Sequence, residues 1–151
     1  MTYAQIFSLI NLSVMPAWAL LIVLPRAGIT RKLVHSALYP CLLGAFYFGG
    51  FLITAFAGAG SPDVDFTTIE GVRAIFSTDI GVLIGWSHYL VFDLFVGAWI
   101  GRDALRRGVT HWLAAPSILL SFILGPIGLL IYMIGRYALM RTVILAETDL
   151  T

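Results

Sequence analysis

The chain has 151 residues, of which 60% are hydrophobic and 11% are charged, and its mean hydropathy is +0.95. A water-soluble domain carries about a quarter charged residues, so this composition excludes a soluble globular protein and indicates an integral membrane protein. The formal net charge of +1 gives no reason to expect a nucleic-acid partner, and the single cysteine, Cys41, excludes an intramolecular disulfide and a cysteine zinc site.

Four apolar runs predict an all-α integral membrane bundle of four transmembrane helices, forming one domain over residues 1–151. The predicted spans cover residues 4–24, 33–57, 80–101 and 112–135. Each is long enough to cross a hydrocarbon core of about 30 Å. The first run is too long for the apolar core of a signal peptide and has no basic segment before it, so we expect it to stay in the membrane.

Basic residues predict the orientation of these spans. The first and third spans are followed by six of them, namely Arg26, Arg31, Lys32, Arg102, Arg106 and Arg107, and the opposite side has Arg73, Arg136 and Arg141. Cytoplasmic loops carry an excess of Lys and Arg, so both termini are predicted on the outer side of a cell (inner) membrane.

The loop of residues 58–79 is then on the outer side, and it is acidic. Within it Ile69, Val72 and Phe76 recur at three- and four-residue steps, the pattern of a short amphipathic helix on a membrane surface. A solvated connector with one interfacial turn is the preferred interpretation, because such short patterns arise easily by chance.

Asp93 is the most informative residue, because it is a lone carboxylate within the third apolar run. An ionised Asp at mid-membrane costs about 2.5 to 3.5 kcal/mol on insertion scales, so it is kept for function or held neutral by a partner. Glycine or tyrosine occurs every four residues on either side of it, which predicts the close approach of two helix backbones. This ridge consists of Gly81, Gly85, Tyr89, Asp93, Gly97 and Gly101.

The helix rise predicts which polar residues share a depth in the membrane. One predicted layer contains Asn11, Tyr47 and His88, and a deeper layer contains Trp18, Asp93 and Ser121. Tyr89, one turn from Asp93, links the two layers. His88 and Asp93 point about 140° apart on their helix, so His88 is equally well explained as a core residue bonded to Asn11.

No cofactor and no metal site are predicted. His35 and His88 differ in depth by about 20 Å, so one haem iron cannot bind both. The sequence has no His-x-x-x-His or Glu-x-x-His pair and no Gly-rich phosphate loop with an adjacent Lys.

Two stretches and the pattern of the first span resemble a known family. The stretches are residues 85–104, GWSHYLVFDLFVGAWIGRDA, and residues 121–131, SFILGPIGLLI; the first span has Trp18 and Pro25 ahead of Ala27, Thr30 and Lys32. They resemble the abscisic-acid-deficient, neoxanthin-synthase-like membrane family, over most of the chain. The resemblance implies a four-span protein, required in plants to convert violaxanthin to neoxanthin by opening a 5,6-epoxide to an allenic alcohol. No plastid transit peptide is expected and the compact chain looks bacterial, so its natural carotenoid need not be violaxanthin.

The function implied by the resemblance is a cofactor-free carotenoid isomerase that uses acid–base chemistry. The implied catalytic residues are Asp93 as the base, His88 as the acid or a positioning group, and Tyr89 beside Asp93. The implied substrate-binding residues are Asn11, Trp18, Tyr47, Trp86, Gly97 and Ser121. A carotenoid is about as long as the hydrocarbon core is thick, roughly 30 Å, so an upright groove between glycine-lined helices would fit one.

Two other classes of function remain open. The glycine ridge and the aromatic content of 13% also suit a carotenoid-binding or photosynthetic-complex accessory subunit without turnover. A small proton-coupled transporter using Asp93 is the other, although the four spans show no inverted repeat. The expected partners are a carotenoid or another lipophilic ligand and membrane lipid. Gly97 and Gly101 suit a homo-oligomer or larger membrane complex as well as packing within one chain.

Overall fold

A computed structural model describes residues 1–36 and 38–145, and in this part of the chain it contains seven α-helices and no strand. The helices are α1 (Tyr3–Val23), α2 (Gly28–Leu33), α3 (Leu38–Ala57), α4 (Ile69–Ile75), α5 (Asp79–Arg107), α6 (His111–Leu124) and α7 (Pro126–Met140). Within the described residues, three helical segments are long and apolar enough to cross a membrane: α1, the segment that includes α3, and α5. The predicted all-α class is therefore confirmed.

The chain divides into two compact units. Unit 1 consists of Met1–Met15 and Leu38–Phe92, and unit 2 consists of Pro16–Ala37 and Asp93–Thr151. Both α1 and α5 contribute residues to each unit. The units differ in charge, because eight of the nine Lys and Arg residues belong to unit 2, whereas unit 1 has Arg73 alone.

Each unit buries only part of its apolar side chains. Val14 and Leu90 are buried in unit 1, and Leu94 and Ile100 are buried in unit 2. By contrast, Leu43 is the buried residue of α3, although the whole helix is apolar. A helix that is apolar on every face and exposed over most of it is suited to contact with lipid.

The acidic loop of residues 58–79, in unit 1, contains a helix, α4, at the position indicated by its apolar spacing. Thr68 caps the helix, with its side-chain oxygen accepting a hydrogen bond from the Gly71 nitrogen at 3.1 Å. Just before it, the Asp65 carboxylate accepts hydrogen bonds from the backbone nitrogen and the hydroxyl of Thr67, at 2.8 and 2.7 Å. These bonds hold the pKa of Asp65 below its usual value. That α4 lies on a membrane surface stays a prediction.

The prediction of one continuous helix over residues 112–135 is wrong. The chain leaves α6 at Leu124, turns at Gly125, which has φ 55° and ψ −111°, and enters α7 at Pro126. Glycine tolerates this positive φ, and proline suits the first position of a helix because it has no N–H to satisfy. At 14 and 15 residues, α6 and α7 are each about 21 to 23 Å long, less than the hydrocarbon core of about 30 Å.

Helices α6 and α7 pack against each other as a hairpin. Gly128 allows their close approach, because a methyl group there would overlap the backbone nitrogen of Ser121 and the carbonyl oxygen of Ser117. Close backbone contact was expected instead along the ridge on α5. That prediction is wrong at Gly97 and Gly101, whose nearest neighbours are side chains. Close backbone contact between two helices therefore occurs at Gly128, in the α6–α7 hairpin, and not at Gly97 or Gly101.

A buried ionic cluster joins the C-terminal ends of α5 and α7. The fully buried Asp103 carboxylate accepts hydrogen bonds from Tyr132 Oη at 2.7 Å, Arg136 Nη1 at 2.8 Å and Arg107 Nε at 2.8 Å. Arg136, also fully buried, donates through Nη2 to the Ile144 carbonyl oxygen at 3.1 Å. We call these residues the Asp103 cluster. The prediction that Arg107 and Arg136 lie on opposite sides of the membrane is wrong, because both bind one carboxylate.

Candidate functional site

Asp93 lies against the turn of the α6–α7 hairpin, within unit 2. Its side chain is buried, and a methyl group placed on Gly125 would be 3.0 Å from Oδ1 and 3.4 Å from Oδ2. Gly125 immediately precedes α7, so the carboxylate lies near the N-terminal end of that helix, where the helix dipole stabilises negative charge. Helix ends within a membrane accommodate anionic groups in the same way in broken-helix transporters.

An aromatic pair and small residues surround this turn. The buried Trp18 ring lies over Gly97, with ring atoms 2.5 and 2.8 Å from where a methyl group on Gly97 would be. Its centroid is 5.2 Å from that of Phe122 on α6. Gly97 follows Asp93 by one turn of α5, and the Gly125 nitrogen donates to the Ser121 carbonyl oxygen at 3.0 Å. We define the Asp93 site as Trp18, Asp93, Gly97, Ser121, Phe122 and Gly125.

Two polar groups of the Asp93 site are buried without a partner. Within residues 1–36 and 38–145, neither Trp18 Nε1 nor Ser121 Oγ has a hydrogen-bond partner. Most buried polar groups in folded proteins have one, so each such exception asks for an explanation. Both groups can donate a hydrogen bond to an oxygen atom of a ligand.

The other predicted site residues belong to unit 1, where they form two separate groups of contacts. Trp86 Nε1 donates to Asn11 Oδ1 at 3.0 Å, and the Trp86 ring stacks on Tyr89 at a centroid distance of 5.0 Å. The Tyr47 ring is 5.6 Å from that of His88. The alternative of a buried His88 bonded to Asn11 is wrong, because His88 is exposed and the Asn11 oxygen accepts from Trp86.

Two features of unit 2, the Asp103 cluster and the turn at Gly125, were not predicted from the sequence. Signals for both are present. Asp103 and Arg107 are four residues apart, a spacing that pairs opposite charges on a helix. The dipeptide Gly125-Pro126 marks a break in a helical pattern.

Residues 5–132 match the ABA4-like family model, described as ABA DEFICIENT 4-like. The chain is also similar to Protein ABA DEFICIENT 4, chloroplastic, of Arabidopsis thaliana, with 24% identity over 137 residues. That alignment covers 88% of this chain and 61% of the relative, so the chain spans less than two thirds of the relative's length. No solved structure matches. Since the family model covers most of the chain, including the whole Asp93 site, this protein belongs to the ABA DEFICIENT 4-like family.

Proposed function

We propose that this protein is a carotenoid-related membrane isomerase that opens a xanthophyll epoxide to an allenic alcohol, with Asp93 as the base. The observation that carries the proposal is a buried carboxylate in one site with two unpartnered donors, Trp18 Nε1 and Ser121 Oγ. A lipophilic substrate that carries an oxygen atom would satisfy these donors, whereas an unsubstituted hydrocarbon would not. The resemblance of residues 85–104 and 121–131 to neoxanthin-synthase-like proteins supports the same substrate class.

The reaction is an isomerisation, so its atoms balance without a co-reactant. Asp93 takes a proton from the carbon next to the epoxide, and the electron pair of that C–H bond forms the new double bond of the allene. The adjacent C–O bond of the epoxide breaks, and its oxygen takes up a proton. The Trp18 and Ser121 donors stabilise the negative charge that develops on this oxygen. His88 and Tyr89 belong to unit 1, and their implied roles stay predictions.

Expression in a host that accumulates an epoxy-xanthophyll tests the proposed activity. We expect a new pigment of unchanged mass, with an allene vibration in its infrared spectrum, that is absent from the host without the gene. Pigments are separated by chromatography and normalised to the amount of protein in the membrane. Unchanged pigment composition, with the protein present and its substrate available, would contradict the isomerase.

Pigment binding without turnover is the second candidate, favoured by an apolar cavity in unit 2. This cavity has a volume of about 350 Å³ and is lined only by apolar side chains: Phe95, Val96, Trp99, Leu129, Met133 and Leu145. It suits a segment of a polyene chain, since ligand pockets are mostly apolar. A pigment that purifies with the protein in stoichiometric amount, with no new product in the host, would favour binding over catalysis.

We also propose that the α6–α7 hairpin enters and leaves the membrane on one side. The proposal is supported by Arg107 near the end of α5 and Arg136 near the end of α7, because both bind the Asp103 carboxylate. Asp93 precedes Asp103 by ten residues, or about 15 Å along α5, so the Gly125 turn beside it is within the membrane. All eight Lys and Arg residues of unit 2 can then be cytoplasmic. In this proposed topology the end of α7 would also be cytoplasmic, instead of on the outer side.

Cysteine labelling tests this topology. In a Cys41→Ser background, we expect a membrane-impermeant maleimide outside sealed cells to label Asp63→Cys in the outer loop but not Val143→Cys after α7. Both positions are exposed, so each reacts once the membrane is permeabilised. Labelling of both variants from outside would support a fourth crossing and contradict the hairpin.

A further inference from the structure

A larger cavity occurs in unit 2, apart from the Asp93 site. Its volume is about 610 Å³, within the usual range for ligand pockets. Its walls include the apolar side chains of Leu21, Ala104, Ala114 and Ile118, and it is also lined by Arg26 and His111. Both of these polar residues are exposed, so they lie where the cavity opens. None of the residues that line it belongs to the Asp93 site.

The two polar groups of this cavity are available to a ligand. Among the described residues, neither the Arg26 nor the His111 side chain makes a hydrogen bond or an ion pair. Asp103 is the other buried carboxylate of the described part of unit 2 besides Asp93, and its oxygens already bind Arg107, Arg136 and Tyr132. The opening of the cavity therefore attracts negative charge.

We propose that this cavity binds an anionic phospholipid. The phosphate contacts the Arg26 guanidinium and the His111 imidazole, and an acyl chain follows the apolar wall formed by Leu21 and Ile118. A guanidinium matches the geometry of phosphate oxygens, and imidazole has an N–H to donate in either protonation state. Basic pockets between membrane helices at the cytoplasmic boundary bind lipid head groups in this way. A xanthophyll has no anionic group that could form an ion pair with the Arg26 guanidinium.

Lipid binding to the purified full chain in a neutral detergent tests the proposal. Native mass spectrometry should show tighter binding of phosphatidylglycerol than of phosphatidylcholine with the same acyl chains. Removing the guanidinium by Arg26→Gln should weaken phosphatidylglycerol binding about fivefold, and removing the imidazole by His111→Gln should weaken it as well. Arg26→Lys should retain most of the affinity, which separates loss of charge from misfolding. The matched control is Arg31→Gln, an exposed basic residue of the neighbouring α2 that does not line the cavity, and it should bind normally.

Three results would overturn the phospholipid site. Equal binding of phosphatidylglycerol and phosphatidylcholine would show that the negative charge of the lipid does not contribute to binding. An equal loss in Arg31→Gln and Arg26→Gln would indicate diffuse attraction by the basic surface. Glycerol 3-phosphate protecting the protein from thermal unfolding as well as phosphatidylglycerol does, at equal concentration, would indicate a site for a soluble phosphate instead of a lipid.

Discussion

If Asp93 is the proposed base, Asp93→Asn should lower the rate of xanthophyll conversion about 10²- to 10⁴-fold, the range expected when a general base is lost. Asparagine has nearly the volume of aspartate, so it still fills the space beside Gly125. The amide cannot accept the proton from the substrate carbon, so substrate binding should persist while the rate of conversion falls. The measurement is product per amount of membrane-inserted protein, obtained by chromatography of pigments from the epoxy-xanthophyll host.

The control for this variant is Asp63→Asn, which removes an exposed carboxylate of the outer loop and should leave conversion unchanged. Thermal unfolding in detergent distinguishes a catalytic from a structural Asp93. A residue that only stabilises the α7 terminus contributes about 0.3 to 2 kcal/mol through the helix dipole, so its loss would lower stability and spare conversion. Full product yield from Asp93→Asn would refute the assignment of the base.

Asp93 could be singled out from the sequence because the free-energy cost of burying a carboxylate depends on the residue and its apolar surroundings, both visible there. In the structure its side chain is buried. The helix rise predicted that Trp18, Asp93 and Ser121 share one depth. In the structure Trp18 lies against Gly97, one turn from Asp93. The Ser121 carbonyl oxygen accepts a hydrogen bond from the nitrogen of Gly125, which lies beside Asp93. The proposed role of Asp93 as a base does not follow from its burial or from its depth in the membrane.

The break at Gly125 could not be predicted from hydropathy. A mean hydropathy depends only on the composition of a segment and contains no information about the direction in which the chain runs. Residues 112–135 are as apolar as a continuous span, yet their path reverses at one glycine with positive φ. The contact of Gly128 with Ser117 and Ser121 stabilises this reversal, and it depends on packing between two helices. A local pattern shows that a helix can break at Gly-Pro without showing which way the chain then runs.

The Asp103 cluster was missed for a different reason. In the sequence, Asp103 lies among the arginines that end α5, the usual composition of a solvated helix terminus. Its buried partners, Tyr132 and Arg136, are 29 and 33 residues later. The pairing of Asp103 with these two residues depends on the path of the chain, so a local sequence pattern does not predict it. Because the fourth run was predicted to cross the membrane, Arg136 was expected on the side opposite Arg107, whereas both bind Asp103.

Asp103→Ala should lower the free energy of unfolding by about 3 to 5 kcal/mol, the usual effect of removing one member of a buried ion pair. The cause is Arg136, which is fully buried and would lose its compensating charge. Tyr132 would lose the acceptor of its 2.7 Å hydrogen bond as well. The measurement is thermal or denaturant-induced unfolding of the purified protein in detergent.

A double variant separates this electrostatic effect from a simple loss of packing. Asp103→Leu combined with Arg136→Met removes both charges and keeps apolar volume, so it should recover much of the stability lost in Asp103→Ala. Arg106→Gln is the control, since Arg106 is partly exposed and 3.9 Å from Asp103, and a pair of this kind contributes about 0 to 1 kcal/mol. If Asp103→Ala unfolds no more easily than Arg106→Gln, the cluster does not hold α7 against α5. The proposed return of the hairpin to the cytoplasmic side would then lose its main support.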